Sequence, residues 1–354
     1  MSTIDSTIEA LATVARRWRD ADHPPRAEAL EETLRAPNRW SEPALDHALD
    51  RWMEQLTPEA LGEWLEPSPE GTATVAVLNG EGDPFGGFRE ALATWALGFD
   101  YVGAVSEASP ALLPAFASEV ASRCPALEVD FAPAEEAVVR ADGVIADPVD
   151  RVDSVETLCD EAGVPASRRL LRDPTFSVGL VDGHESEDER ERLAEDMLLY
   201  EGHGPRRLAI LWAPRDHSPD AYLEAMARFR GLFPAHEKTP GALQMQQAFL
   251  EARDAPHAYA EGLEFLVSRG DPAPQKPCHI RWAEYDDLEE VDAWVRERTD
   301  LHAVIARRHL HDQCPEDWPL RTPGGVHIPR LRDEEGRRIV SWLREMAEAY
   351  YESA

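Results

Sequence analysis

The chain has 354 residues, a length that suits two domains or three, and 43% of them are hydrophobic, enough to bury a sizeable core. Asp and Glu number 68 against 36 Lys and Arg, a formal net charge of -32, and only Lys238 and Lys276 are lysines. A surface of that sign repels phosphate, so nucleic acid and anionic membrane are excluded as partners. Ten Trp and ten Phe spread through periodic apolar segments exclude wholesale disorder.

Acids occur in nearly every segment rather than in one tail, which reads as a solvated surface that keeps the protein soluble or, more sharply, as a surface adapted to high salt. Counterions shorten the range of self-repulsion to a Debye length of about 3 Å at 1 M. The thermal midpoint is therefore expected to rise from dilute buffer to molar KCl. A midpoint that stays flat or falls contradicts this reading.

The first twenty residues read as an amphipathic helix. No basic region followed by an apolar stretch marks a secretory signal, and no run of 18 apolar residues marks a membrane span. Four separated cysteines, Cys124, Cys159, Cys278 and Cys314, form no CxxC and suit a reducing cytoplasm. Residues 1–70 carry apolar positions at helical spacing, among them Leu11, Val14, Trp18, Trp52, Leu56, Leu61 and Trp64. Ser41 with Pro43 marks a helix start, and Pro67 and Pro69 end the helical cap.

From Thr72 the pattern changes. TATVAVLNG is a buried strand and its turn, and GGFREALATWALG is a helix closed by Gly98. YVGAVS, Ala126–Phe131, ADGVIAD and FSVGLVDG follow as strands two to five, with helices between. This alternation predicts a doubly wound parallel sheet over 71–182. A second α/β domain is expected over 183–308, with strands at RRLAILWAP, Tyr259–Ser268, Cys278–Ala283 and LHAVIARR. Residues 309–354 are expected to be a Pro/Gly-rich loop and a last helix.

Three segments carry residues suited to chemistry. NGEGDPFGG, 79–87, is a glycine-rich strand-to-helix turn, where backbone amides and a helix dipole can meet an anion. It is not G-x-G-x-x-G, and Glu81 and Asp83 would repel phosphate. YEGHGPRRL, 200–208, offers His203 as a base and Arg206 with Arg207 as a clamp for an anion. RRHLHDQC offers His309, His311 and Cys314, but no fourth ligand at a zinc-site spacing, so no metal is expected.

The order of these motifs resembles the acyl-CoA reductase family, the type that includes the fatty-acid reductase of bacterial bioluminescence, within the aldehyde dehydrogenase superfamily. The resemblance is carried by VAVLNGEGDPFGGFREALATWALG, YVGAVSEASPALLP, ADGVIADP and RLLRDPTFSVGLVDGHESEDERERLAEDMLLYEGHGPRRLAILWAP. AEYDDLEEVDAWV and QCPEDWPLRTPGGVHIP continue it, over roughly 40–330. It implies an aldehyde-dehydrogenase-like fold of two doubly wound α/β domains behind a helical N-terminal cap. It also implies NADPH-dependent reduction of an acyl thioester to an aldehyde. In that chemistry a cysteine thiolate forms an acyl-enzyme, and an Asn side chain supports the oxyanion.

This chain departs from the family at those positions. The nucleophile turn is Gly202-His203-Gly204-Pro205-Arg206, with proline at the cysteine position. Gly82 stands where the oxyanion Asn belongs, two before Pro84. Ala104 stands where a ribose-binding lysine belongs, with Gly80 and Ser106 as the neighbouring cofactor positions. Cys278 is the candidate for a relocated thiol. The resemblance places 200–208 opposite 79–87 in one cleft.

Two functions of different class follow. One is a reductase using NADP(H) on acyl-CoA or another acyl thioester, with Pro205 at the nucleophile position. The other is an inactive pseudoenzyme that serves as a binding or scaffold subunit, with an active reductase or another protein as partner. A third keeps a nucleotide site and uses His203 as a base for non-covalent chemistry.

Overall fold

The computed structural model describes residues 3–65, 73–80, 82–147 and 152–353. Pro67, Pro69, Thr72, Glu81 and the expected boundary near residue 70 lie outside the described residues. The chain divides into two compact units. One holds Met1–Asn38, Leu45–Pro174 and Ile328–Ala354, and the other Arg39–Ala44 and Thr175–His327.

The first unit opens with helices α1 (Thr3–Trp18), α2 (Pro24–Arg35), α3 (Glu42–Gln55, whose first residues belong to the other unit) and α4 (Pro58–Leu65). Strands and helices then alternate: β1 (Thr74–Leu78), α5 (Phe88–Ala96), β2 (Asp100–Ala104), α6 (Leu112–Ala121), β3 (Val129–Phe131), α7 (Ala134–Arg140), β4 (Gly143–Ala146), α8 (Val152–Ala162) and β5 (Arg169–Leu171). The sheet is parallel throughout, in the order β3-β2-β1-β4-β5. Such strands are buried on both faces and read as apolar runs, as TVAVL and GVIA do.

Aromatic side chains join the N-terminal helices to this sheet. Trp18 meets Phe116 edge-on at 5.2 Å, Phe116 meets Phe88 at 5.0 Å, and Phe88 meets Trp52 at 5.5 Å. Each such ring buries roughly 150–250 Å², a gross gain of roughly 4–6 kcal/mol.

The second unit contains β6 (Phe176–Leu180), α9 (Glu187–Leu198), β7 (Leu208–Pro214), α10 (Asp220–Leu232), α11 (Thr239–Ala252), β8 (His257–Tyr259), β9 (Leu266–Arg269), β10 (His279–Tyr285), α12 (Leu288–Arg296), β11 (Leu301–Ala306), α13 (Arg308–His311) and β12 (Leu320–Arg321). Its seven strands run β12-β11-β6-β7-β10-β9-β8, parallel except for the edge strand β8. Ser186 caps α9 in a complete capping box with Glu189, and three acids in the first turn suit the helix dipole. A final helix, α14 (Glu334–Ser353), returns to the first unit, where Trp64 Nε1 donates to Gly336 O at 3.0 Å.

Two strand assignments differ from the sequence reading. FSVGLVDG belongs to the second sheet: β6 pairs with β7 and β11, and all five of its residues are buried. The fifth strand of the first sheet is instead the short RLL segment, β5, paired with β4. The single strand read over Tyr259–Ser268 is two antiparallel strands. Gly262 and Leu263 reverse the chain between them with φ of 88° and 56°.

Candidate functional site

In the first unit, Gly80, Gly82, Ala104 and Ser106 all lie at the carboxyl ends of β1 and β2. Asn79 N donates to Ala104 O at 3.0 Å, which ties the two strand ends together. Gly80, Ala104 and Ser106 are buried and Gly82 is half-buried. The Ser106 hydroxyl accepts from Ala108 N at 3.1 Å, and its carbonyl accepts from Ser109 N.

The turn that follows is closed on itself. Asp83 Oδ1 accepts from Phe85 N at 2.9 Å, and Asp83 O accepts from Gly86 N at 3.1 Å. Ser109 Oγ donates to Pro84 O at 2.7 Å. Gly87 has φ of 74°, and a Cβ there would fall 1.8 Å from Asn79 Oδ1, so only glycine fits before α5. Its N–H donates to Asp147 Oδ2 at 3.0 Å.

Asp147 belongs to a buried ionic network that the sequence reading missed. Arg172 Nη2 lies 3.1 Å from Asp147 Oδ1 and 2.5 Å from Glu90 Oε1. Arg89 in turn reaches Asp333 at 2.8 Å and Glu335 at 2.6 Å. Burial pushes the Glu90 carboxyl up, but the Arg172 and Arg89 guanidiniums outweigh it and hold it below the usual carboxylate range. The one signal in the sequence was an acid ending each of two apolar strand-and-turn segments, LNGEGD and GVIAD.

In the second unit, α9 runs into a 3-10 turn over Leu199–Gly202. Tyr200 and Glu201 are both left-handed there, with φ of 56° and 58°, and Gly202 follows at 61°. Non-glycine residues in that region cost of order 1–3 kcal/mol each, so the surroundings must hold them. Glu201, only 4% exposed, pairs with Arg230 at 2.7 Å and accepts from the Thr239 hydroxyl. Cys278, also left-handed at φ of 58°, presses its backbone N against Gly202, where a Cβ would fall 2.6 Å away.

The Cys278 thiol sits within this ionic cluster. Its Sγ is 3.1 Å from Arg230 Nη2 and 3.9 Å from Glu201 Oε2. Burial pushes the thiol up to about 12, although Arg230 opposes the shift. His203 is half-buried, and its N–H donates to Tyr200 O at 3.1 Å. Pro205 is half-buried, and its carbonyl accepts from Thr175 Oγ1 at 2.7 Å. Arg206 is buried, with its carbonyl accepting from Ser177 Oγ at 2.8 Å. Arg207 donates to Gly202 O and to Gln275 O, and burial lowers its pKa. The Arg207 guanidinium is thus tied to backbone carbonyls of and beside the turn.

His311 Nε2 pairs with Ala306 O at 3.0 Å, and the Cys314 N–H donates to His311 O. Among the described residues no group of three His, Cys, Asp or Glu is placed to hold a metal ion. No described helix is long and apolar enough to cross a membrane.

No family model matches the sequence, and no curated protein matches it either. Solved structures do match the fold. The NAD-dependent benzaldehyde dehydrogenase from Corynebacterium glutamicum superposes with a TM-score of 0.68 at 10% identity, over 97% of this chain and 83% of that one. The methylmalonate-semialdehyde dehydrogenase from Oceanimonas doudoroffii gives 0.69 at 11% identity, over 93% and 84%. The succinic semialdehyde dehydrogenase from Streptococcus pyogenes, solved with NADP+ as its cofactor, gives 0.61 at 12% identity, over 96% and 79%. The chain thus has an aldehyde-dehydrogenase-like fold, with parallel-stranded α/β sheets and a helical N-terminal region.

Proposed function

We propose that this chain is a non-covalent relative of the acyl-CoA reductases, a pseudoenzyme that acts as a binding or scaffold subunit. Its ligand class is the acyl thioester or aldehyde, and its partner is an active reductase or another protein. The observation that carries this is position 205 together with the state of the thiols. Thioester reduction through an acyl-enzyme needs a thiolate in reach of the substrate. Pro205 supplies neither a thiol nor a backbone N–H, and its carbonyl is held by Thr175.

Cys278 packs on the same turn but does not substitute. It is 2% exposed and hydrogen-bonded to Arg230, with its pKa pushed up to about 12. A thiol raised in this way keeps its proton at neutral pH and is a poor nucleophile. Cys124 and Cys159 are buried, Cys159 in the apolar cluster around β1 and β4. Cys314 packs against the core of the second sheet, and burial raises its pKa. Gly82 offers no side-chain donor for an oxyanion, and Ala104 offers no ammonium for a ribose. Four free, separated thiols support a cytoplasmic location.

NADP(H) is the cofactor that the family resemblance implies, and neighbours of this fold are solved with NADP+ and with NAD+. When bound it supplies hydride. The described residues at Gly80, Ala104 and Ser106 do not fit its phosphates, because the amides of the adjoining turn already face the carboxylates of Asp83 and Asp147. No hydride step follows from them.

The strained backbone at Tyr200 and Glu201 favours a second reading. In it the turn faces a ligand and His203 acts as a base without a covalent intermediate.

The test is turnover of NADPH with long-chain acyl-CoA in molar KCl. The expected result is no oxidation above the protein-free rate. Steady turnover overturns the pseudoenzyme reading, and turnover abolished by His203→Ala establishes the second one.

A further inference from the structure

Helix α11 carries the longest uncharged run in the chain, Thr239–Leu250, although 29% of all residues are charged. One face of the helix is spent on the core of the second unit, where Thr239, Leu243 and Leu250 are buried. The opposite face is exposed and yet apolar. Met245 is 77% and Phe249 53% exposed, and Ala242, Ala248 and Ala252 are exposed beside them. Ala242, Met245, Phe249 and Ala252 recur at the alternating three- and four-residue spacing of a coiled-coil seam. We infer that this seam is a contact between two copies of the chain, with their α11 helices antiparallel.

Charge selects both the occupant and its direction. A net charge of -32 drives copies apart wherever acids face acids, and along this seam they meet none. The ends of the helix are charged. Glu237 and Lys238 are exposed just before it, and Glu251, Arg253 and Asp254 are exposed at its close. A parallel pair would set Lys238 beside the partner's Lys238 and Glu237 beside the partner's Glu237. An antiparallel pair sets Glu237 and Lys238 at the end that holds the partner's Glu251, Arg253 and Asp254, so cations and acids of the two copies come together.

The seam is also complementary to itself in size. A twofold axis through its midpoint sets Met245 opposite the partner's Phe249, and Ala242 opposite the partner's Ala252. Large side chains then meet at the centre and small ones at the flanks, where they let the two backbones approach. The Arg253 guanidinium, 4.1 Å from the Phe249 ring centroid, borders the apolar centre with a cation. One helix of 14 residues gives an interface at the small end, below about 1,200 Å² in total. The contact is therefore weak and dependent on concentration, and salt strengthens it by screening the acids elsewhere on the surface.

This inference stands whether or not the chain turns over a thioester. It is tested with Met245→Cys and Phe249→Cys, oxidised by copper phenanthroline in molar KCl, each alone and as a mixture. The expected result on a non-reducing gel is a disulfide-linked dimer that forms at least tenfold faster in the mixture than in either variant alone or in wild type. A single variant that links to itself as fast as the mixture overturns the antiparallel seam. Absence of any link above the wild-type level overturns the contact itself. Sedimentation velocity from micromolar to near-millimolar protein gives the second readout. Met245→Glu combined with Phe249→Glu should lower the average mass at the highest concentration and leave the thermal midpoint in place, because both side chains face solvent. An average mass equal to that of wild type overturns the inference.

Discussion

Arg230→Ala is expected to destabilise the protein by about 3–5 kcal/mol, the cost of leaving a buried charge without its partner. Arg230 and Glu201 are both 4% exposed, and their 2.7 Å pair holds the left-handed turn at Tyr200 and Glu201. Removing the guanidinium also strips Cys278 Sγ of its donor. The urea midpoint of Arg230→Ala measures the loss. The double variant Arg230→Met with Glu201→Leu separates charge from packing, because replacing both partners by apolar groups is often neutral. It should recover most of the stability. A single variant within about 1 kcal/mol of wild type would mean that the pair does not hold the turn.

Acidification from pH 6.5 to 4 is expected to cost stability through two buried imidazoles. Burial pushes His279 and His327 down to about 4, while an imidazole in the unfolded chain titrates near 6.5. The unfolded state therefore takes up protons first. Their contribution is complete above pH 6.5 and lost as pH falls towards 4, by up to about 3 kcal/mol each. Asp196 works against them. Burial raises its carboxyl to about 7, despite N–H donors from Gly324, Gly325 and Val326. It costs stability above pH 7 and returns it as pH falls through the same window. Two groups against one leave a net loss of about 3 kcal/mol. In His279→Gln the slope of stability against pH should flatten by up to about 1.4 kcal/mol per unit. An unchanged slope would mean that His279 titrates as it does in the unfolded chain.

Much of the fold was legible in the sequence because parallel strands buried on both faces are short apolar runs between helices. TVAVL, GVIA and LAILWAP announce themselves in this way. Membership of a sheet was not legible. FSVGL follows all five strands of the first sheet in sequence, yet pairs with β7 and with β11, some 120 residues later. The strand that completes the first sheet, RLL, has one fully buried residue and no period to detect.

The glycine-rich turn at 79–87 and the turn at 200–208 were both found as segments, but their chemistry was not. Asp147 accepts from Gly87 N, just before α5, across 60 residues, and Cys278 meets Glu201 across 77. Such contacts leave no trace in local spacing. The left-handed conformation of Tyr200 was equally hidden, since neither Tyr nor Glu favours it and the surrounding cluster imposes it.

Under the pseudoenzyme proposal, no side chain of this protein forms a thioester with its substrate. Intact-mass measurement after incubation with a long-chain acyl-CoA, without NADPH and in molar KCl, tests it most directly. Unmodified protein is the expected result for the wild type. An acyl adduct abolished by Cys278→Ala would contradict it, because the thiol now held by Arg230 would then be the nucleophile.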